Sequence, residues 1–223
     1  MVVTFVPLCL KRSVATNREI SYNAARINQS SFKRVLDIFG AIAGLLVLAP
    51  LFVLVALAIM VESPGSPIFR QTRTGRHGAP FVIYKFRTMR VCEDGADVVQ
   101  AKRSDSRITR VGSILRRTSI DELPQLLNVL KGEMSLVGPR PHALAHDAYY
   151  GSCVANYDLR FHVRPGLTGL AQVSGLRGET ADIASMAARI DKDLDYIRTG
   201  TVLRDLEILC RTVLVFAFHA KAY

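Results

Sequence analysis

From Ile38 to Val61 the chain runs 24 residues without a charged side chain, and Pro50 sits at the centre of that run. As one straight α-helix the run would be about 36 Å long, against a bilayer hydrocarbon core of about 30 Å. Length alone therefore permits a membrane span. Pro50 argues against a plain one: it removes an N–H, orphans the carbonyl of Leu46 and costs about 3 kcal/mol in a helix interior. In hydrocarbon the orphaned carbonyl has no water to turn to. A break at Pro50 leaves two arms of about 18 Å, each too short to cross alone.

The flanking charges bear on the same choice. Lys11, Arg12, Arg18, Arg26, Lys33 and Arg34 precede the run, and Arg70, Arg73, Arg76, Lys85, Arg87 and Arg90 follow it. Lys and Arg accumulate on the cytoplasmic side of a membrane segment. Six against six fits two flanks on one side, and hence a re-entrant helix-break-helix hairpin. A single Pro-kinked span remains the other reading.

The formal net charge of +10 and pI of about 9.8 favour an anionic partner. Beside an apolar segment, that points to lipid headgroups and phosphorylated substrates more than to nucleic acid. Cys9, Cys92, Cys153 and Cys210 are scattered without zinc or redox spacing, as expected for reduced thiols in a cytosolic compartment.

"IFRQTRTGRHGAPFVIYKFRTM" (68–89) holds two β-prone runs around a Gly/Pro turn and predicts a hairpin. Residues 92–106 are polar and predict a surface loop. Leu123, Leu126, Leu127 and Leu130 share a helical face that stops at Gly132. Ile183, Met186, Ile190, Leu194 and Ile197 form a second stripe, ended by Gly200. The apolar stretch that closes the chain is too short to span and reads as core or as an interfacial helix.

The densest polar constellation lies between Arg110 and His142, where Arg116 and Arg117 precede the adjacent acids Asp121 and Glu122, and Arg140 follows. Two readings stay open for the acids. Ser119-x-x-Glu122 matches a capping box, and acids belong in a first helical turn. Alternatively, a helix begun at Asp121 or Glu122 puts Pro124 in its first turn and one carboxylate at a helix mouth. Guanidinium groups there would keep it ionised and clamp phosphate oxygens. An ionised carboxylate can attack phosphorus, and a divalent cation such as Mg²⁺ then lets anion approach anion.

Lys33-Arg34-x-x-Asp37 before the Pro-broken run, then "YKFRTM", "DELPQLLNVLKGEMSLVGPRP" and "RPGLTGLAQVSG", together resemble the bacterial sugar transferases, the monotopic polyprenyl-phosphate phosphoglycosyl transferases. The resemblance covers about residues 32–223. It implies a helix-dominated α+β fold in three parts. An N-terminal segment (1–31) would be poorly ordered or interfacial. A re-entrant membrane hairpin (32–62) carries Lys33, Arg34, Asp37 and Pro50. A compact cytosolic catalytic domain (63–223) follows, with a small β-hairpin and interfacial helices.

The resemblance further implies a bacterial inner-membrane protein facing the cytoplasm. It would use Mg²⁺, a UDP-sugar and undecaprenyl phosphate amid inner-membrane lipid, without nucleic acid, and homodimerisation is left open. Asp121 matches the nucleophile and a point of Mg²⁺ contact, and Glu122 its dyad partner. Arg116, Arg140 and Arg164 match candidate phosphate ligands, and Lys85, Arg87 and Thr88 a basic substrate-binding stretch. "PRPHALAHDAYY" and "GLRGET" resemble the glucose-1-phosphate branch of exopolysaccharide assembly, with galactose-1-phosphate as the near alternative. Ala49 stands where many members place Ser, and Leu170 and Leu176 where relatives often place Trp.

Overall fold

The computed structural model of the chain describes residues 14–90, 105–178 and 182–218. The loop expected at 92–106 lies almost wholly outside them. Helix α1 (Val14–Gln29) leads into the long α2 (Ser31–Glu62), and strands β1 (Ile68–Thr74) and β2 (Pro80–Phe86) pair as the expected antiparallel hairpin. Then come α3 (Arg110–Thr118), a 3-10 segment (Ile120–Gln125), α4 (Leu126–Lys131) and β3 (Ser135–Val137). After α5 (Leu144–Cys153), strand β4 (Gly166–Thr168) pairs in parallel with β3, and α6 (Leu170–Val173), α7 (Ile183–Thr199) and α8 (Val202–Phe218) close the described chain. The β3–β4 pairing joins the two glycine motifs with almost no room between backbones. A Cβ on Gly166 would meet the Gly138 nitrogen at 2.1 Å, so only glycine permits that approach.

Within the N-terminal segment, Val14–Gln29 form a helix with one face packed in the core. Ile20, Ala24 and Ile27 share one face, are buried, and belong to the main core together with Ile190, Leu194 and Ile197 of α7. Arg26 and Asn28 add side-chain bonds to the carbonyls of Gly200 and His162.

Helix α2 begins at Ser30, whose side chain caps the Lys33 N–H. The expected interruption at Pro50 is not seen: Ser31–Glu62 is one unbroken helical run. Leucine, alanine and other helix formers on both sides sustain it, and docking contacts recur along its whole length. Near its start, Lys33 Nζ pairs with Asp205 at 2.6 Å and donates to the Val137 carbonyl. Asp37 accepts from the Leu136 N–H and the Ser135 hydroxyl. Farther along, Val55 and Ile59 join Phe86 and Leu115 in a second core cluster. At the end, Glu62 accepts the N–H groups of Arg110 and Val111, capping α3 at 2.7 and 3.0 Å. The opposite face of α2 has no partner among the described residues: Phe39, Leu46, Val47, Leu54 and Val61 are exposed. By length and composition α2 is long and apolar enough to cross a membrane.

The helix expected to run on from the acids is built in two pieces. A 3-10 turn holds Asp121, Glu122 and Pro124, and the α-helix proper starts only at Leu126. Pro124 has no N–H to donate, so the tighter i→i+3 pattern prevails up to it. Gly132, at φ +83°, ends the helix at the expected stop, in a left-handed cap.

Candidate active site

The acids are presented by a sharp corner. Ser119, left-handed at φ 59°, turns the chain out of α3 and into the 3-10 segment, a conformation that non-glycine residues hold only where surrounding structure enforces it. Strand β2 supplies Lys85 from one side, and the segment after β3 supplies Arg140 from another.

These neighbours treat the two carboxylates differently. Glu122 is buried and fully engaged. Lys85 Nζ lies 2.9 Å from its Oε1, Arg140 reaches Oε2 at 2.7 Å, and the second Arg140 nitrogen pairs with Oε1. Burial would raise its pKa, but Arg140 and Lys85 outweigh that and hold it well below the usual carboxylate range. Asp121 is half-buried, and its carboxylate accepts no hydrogen bond from the described residues. Burial, then the adjacent Glu122 charge, push its pKa up to about 6, against the pull of Lys85, Arg140 and Arg116. Lys85 itself is lowered by burial, partly offset by Glu122.

Behind Arg140 stands a buried ionic network. Arg160 donates to the Arg140 carbonyl, pairs with Asp193 at 3.1 Å, and reaches the Tyr157 hydroxyl at 3.0 Å. It also donates to His142 Nδ1, and Tyr157 donates onward to Asp147. Burial, then Arg160, hold the His142 pKa well below its ordinary value, so its Nδ1 is an acceptor. This network fixes the backbone from which Arg140 projects.

Lys85, Arg116 and Arg140 thus gather around Asp121 and Glu122 as expected, and three other expected residues do not. Arg87 donates to the carbonyls of Ser63, Pro64 and Gly65, pinning the turn that leaves α2. Arg164 donates to the Gly132 carbonyl, and Arg34 to those of Val129 and Leu130. These two guanidiniums therefore satisfy the C-terminal end of α4, where carbonyls and the helix dipole favour cations. The Thr88 carbonyl accepts the Thr109 N–H, joining β2 to α3.

Arg177 is a residue that motif reasoning passes over. It adds positive charge toward Glu122 and shares a cavity lining with it. Its sequence signal is its place in "GLRGET" (Gly175–Thr180). Among the described residues no group of three or more His, Cys, Asp or Glu is placed to hold a metal. Among the described residues, Asp121 carries the one carboxylate of this acid pair that accepts no hydrogen bond.

Residues 28–219 match the bacterial sugar transferase family. The chain belongs to that family. It is 61% identical over 181 residues to a UDP-glucose:undecaprenyl-phosphate glucose-1-phosphate transferase of Caulobacter vibrioides, a match covering 81% of this chain and 68% of that protein. A protein of the same description from Escherichia coli is 48% identical over 86% of this chain, which spans 41% of that longer relative. The exopolysaccharide production protein PSS of Rhizobium leguminosarum is 49% identical over 86% of this chain and 98% of its own length.

Proposed function

We propose that the protein transfers glucose-1-phosphate from UDP-glucose to undecaprenyl phosphate through a covalent intermediate on Asp121. The observation that carries this reading is the division of labour in the acid pair. Glu122 is immobilised by Arg140 and Lys85, while Asp121 has no hydrogen-bond partner among the described residues, is half-buried and is more basic than an ordinary carboxylate.

In the first half-reaction an Asp121 oxygen attacks the β-phosphorus of the donor. The bond from that phosphorus to the bridging oxygen breaks, and UMP leaves with the bridging oxygen and its electron pair. In the second, an oxygen of undecaprenyl phosphate attacks the same phosphorus. The acyl-phosphate bond breaks, Asp121 is regenerated as a carboxylate, and undecaprenyl-diphosphate-glucose departs. Lys85, Arg116 and Arg140 supply the fixed positive field for the charge that accumulates at phosphorus. Asp121 and donor phosphate oxygens together fit a Mg²⁺ ion, which when bound would screen the approach of one anion to another. Relatives that are UDP-glucose:undecaprenyl-phosphate glucose-1-phosphate transferases support glucose over galactose.

The topology of α2 supports action at a membrane surface. Lys33 and Asp37 near one end and Glu62 at the other bond to the same body. A full span would set those ends on opposite sides of about 30 Å of hydrocarbon and draw the arginines of α3 into it. We infer that α2 lies against one leaflet with its exposed face in lipid and both ends held on the body, leaving the body on the cytoplasmic surface of the inner membrane. That position brings a soluble nucleotide sugar and a lipid-borne phosphate to one carboxylate.

The test is UMP release from a panel of UDP-sugars, with Mg²⁺, by the wild type and Asp121→Asn. UDP-glucose should be the best donor and the variant should release no UMP. Release by the variant at the wild-type rate would remove Asp121 as nucleophile.

A further inference from the structure

We infer that the cavity beside Glu122 is the slot for the isoprene units next to the phosphate of the polyprenyl acceptor. The inference rests on the phosphotransfer reading above and adds where the lipid enters. The cavity has a volume of about 220 Å³. That is below the roughly 300 Å³ at which pockets for drug-sized ligands begin, so it suits a narrow group and not a whole nucleotide sugar.

Most of its wall is apolar: Leu123, Leu136, Leu167, Val173, Leu209 and Val215. Glu122 and Arg177 share the lining, which joins the slot to the acid pair. Ser119 also lines it. That side chain is only 6% exposed, and its hydroxyl has no partner among the described residues. A buried donor left unpaired in an apolar wall calls for an acceptor from outside the chain.

The cavity is walled in part by α8, which carries an exposed apolar face, and by Leu136, which packs on α2. Leu136 packs so closely on α2 that a Cβ on Gly40 would stand 2.7 Å from it. Leu209 and Val215 come from α8, whose Leu203, Val213 and Leu214 face outward. The occupant that matches all of this is a branched hydrocarbon bearing an anion. Its hydrocarbon meets the leucines and valines, and its phosphate meets the Ser119 hydroxyl and the Arg177 guanidinium.

The test uses the full chain in nanodiscs and a short polyprenyl phosphate with a photoreactive diazirine on the isoprene unit next to the phosphate. Labelling should fall on residues 167–173 and 209–215 and be competed by unlabelled polyprenyl phosphate. Val215→Trp, which fills the slot, should cut this labelling and raise the acceptor KM about tenfold, the usual scale for losing a small apolar contact. Labelling confined to the outer face of α2, no labelling, or labelling displaced by uridine nucleotides alone would each overturn the slot, as would an unaffected Val215→Trp. The labelling map needs no variant, so it decides the question even if Val215→Trp does not fold. UMP release without acceptor, measured in the same discs, separates the two claims. Release with an unlabelled cavity rejects only the slot, whereas no release rejects the phosphotransfer reading itself.

Discussion

Arg140 grips Glu122 through both terminal nitrogens, one of them 2.7 Å from Oε2. A bidentate guanidinium–carboxylate pair fixes orientation as well as charge, and Lys85 completes the enclosure at 2.9 Å. The consequence falls on the next residue. With Glu122 committed, Asp121 is the carboxylate at the site that remains available to a substrate, and the neighbouring negative charge makes it more basic.

Arg140→Lys should leave a point charge where a fork is needed. The expected outcome is a fall of about 10²-fold in the rate of UMP release, the scale for losing one preorganised charge-stabilising donor, with a smaller change in KM for UDP-glucose. Steady-state kinetics check this. A wild-type rate would mean that the bidentate grip is dispensable.

Asp121 gives a pH prediction for activity. With its pKa near 6, the reactive carboxylate is lost as pH falls through 6, so UMP release should decline tenfold per pH unit below that point. A profile still flat at pH 5 would contradict it.

The same group predicts a stability change of opposite sense. The folded protein holds this proton more tightly than the unfolded chain, whose Asp titrates near 3.9. Stability is therefore lost as pH rises from about 4 through 6. Asp121→Asn removes that cost. Discounted for partial exposure, the gain is about 1 kcal/mol, or ~2–4 °C in Tm at pH 7.5, and it should vanish below pH 4. Thermal melts of both proteins across this range decide the point.

Arg87 donates to three carbonyls of the turn after α2, and Arg164 to the Gly132 carbonyl. Arg87→Ala should destabilise the turn after α2 by about 1–2 kcal/mol while leaving the KM for UDP-glucose within about twofold. Melts and kinetics on one preparation separate the outcomes. A large rise in KM with no loss of stability would return Arg87 to the substrate site.

The site was largely legible because its chemistry is compressed. Arg116, Asp121, Glu122 and Arg140 fall in one dense motif, and Lys85 sits in a second that the hairpin register aims at it. Arg87 and Arg164 bond to backbone carbonyls, and a guanidinium in a motif gives no sign of such partners. Arg177 lies in "GLRGET", whose resemblance speaks to the branch and not to a place beside Glu122. In the fold, the α7 stripe declared itself through regular apolar spacing. Helix α1 did not, since Ile20, Ala24 and Ile27 are sparse among polar residues and their partner lies at the far end of the chain.

The most direct measurement is mass spectrometry of the protein mixed with UDP-glucose and Mg²⁺ in the absence of any lipid acceptor. One hexose phosphate should appear per chain, on the peptide containing Asp121, with an equal amount of UMP in solution, and it should disappear when undecaprenyl phosphate is added. Hexose phosphate on any other residue, or UMP formed only once the lipid is present, would contradict a covalent intermediate at Asp121.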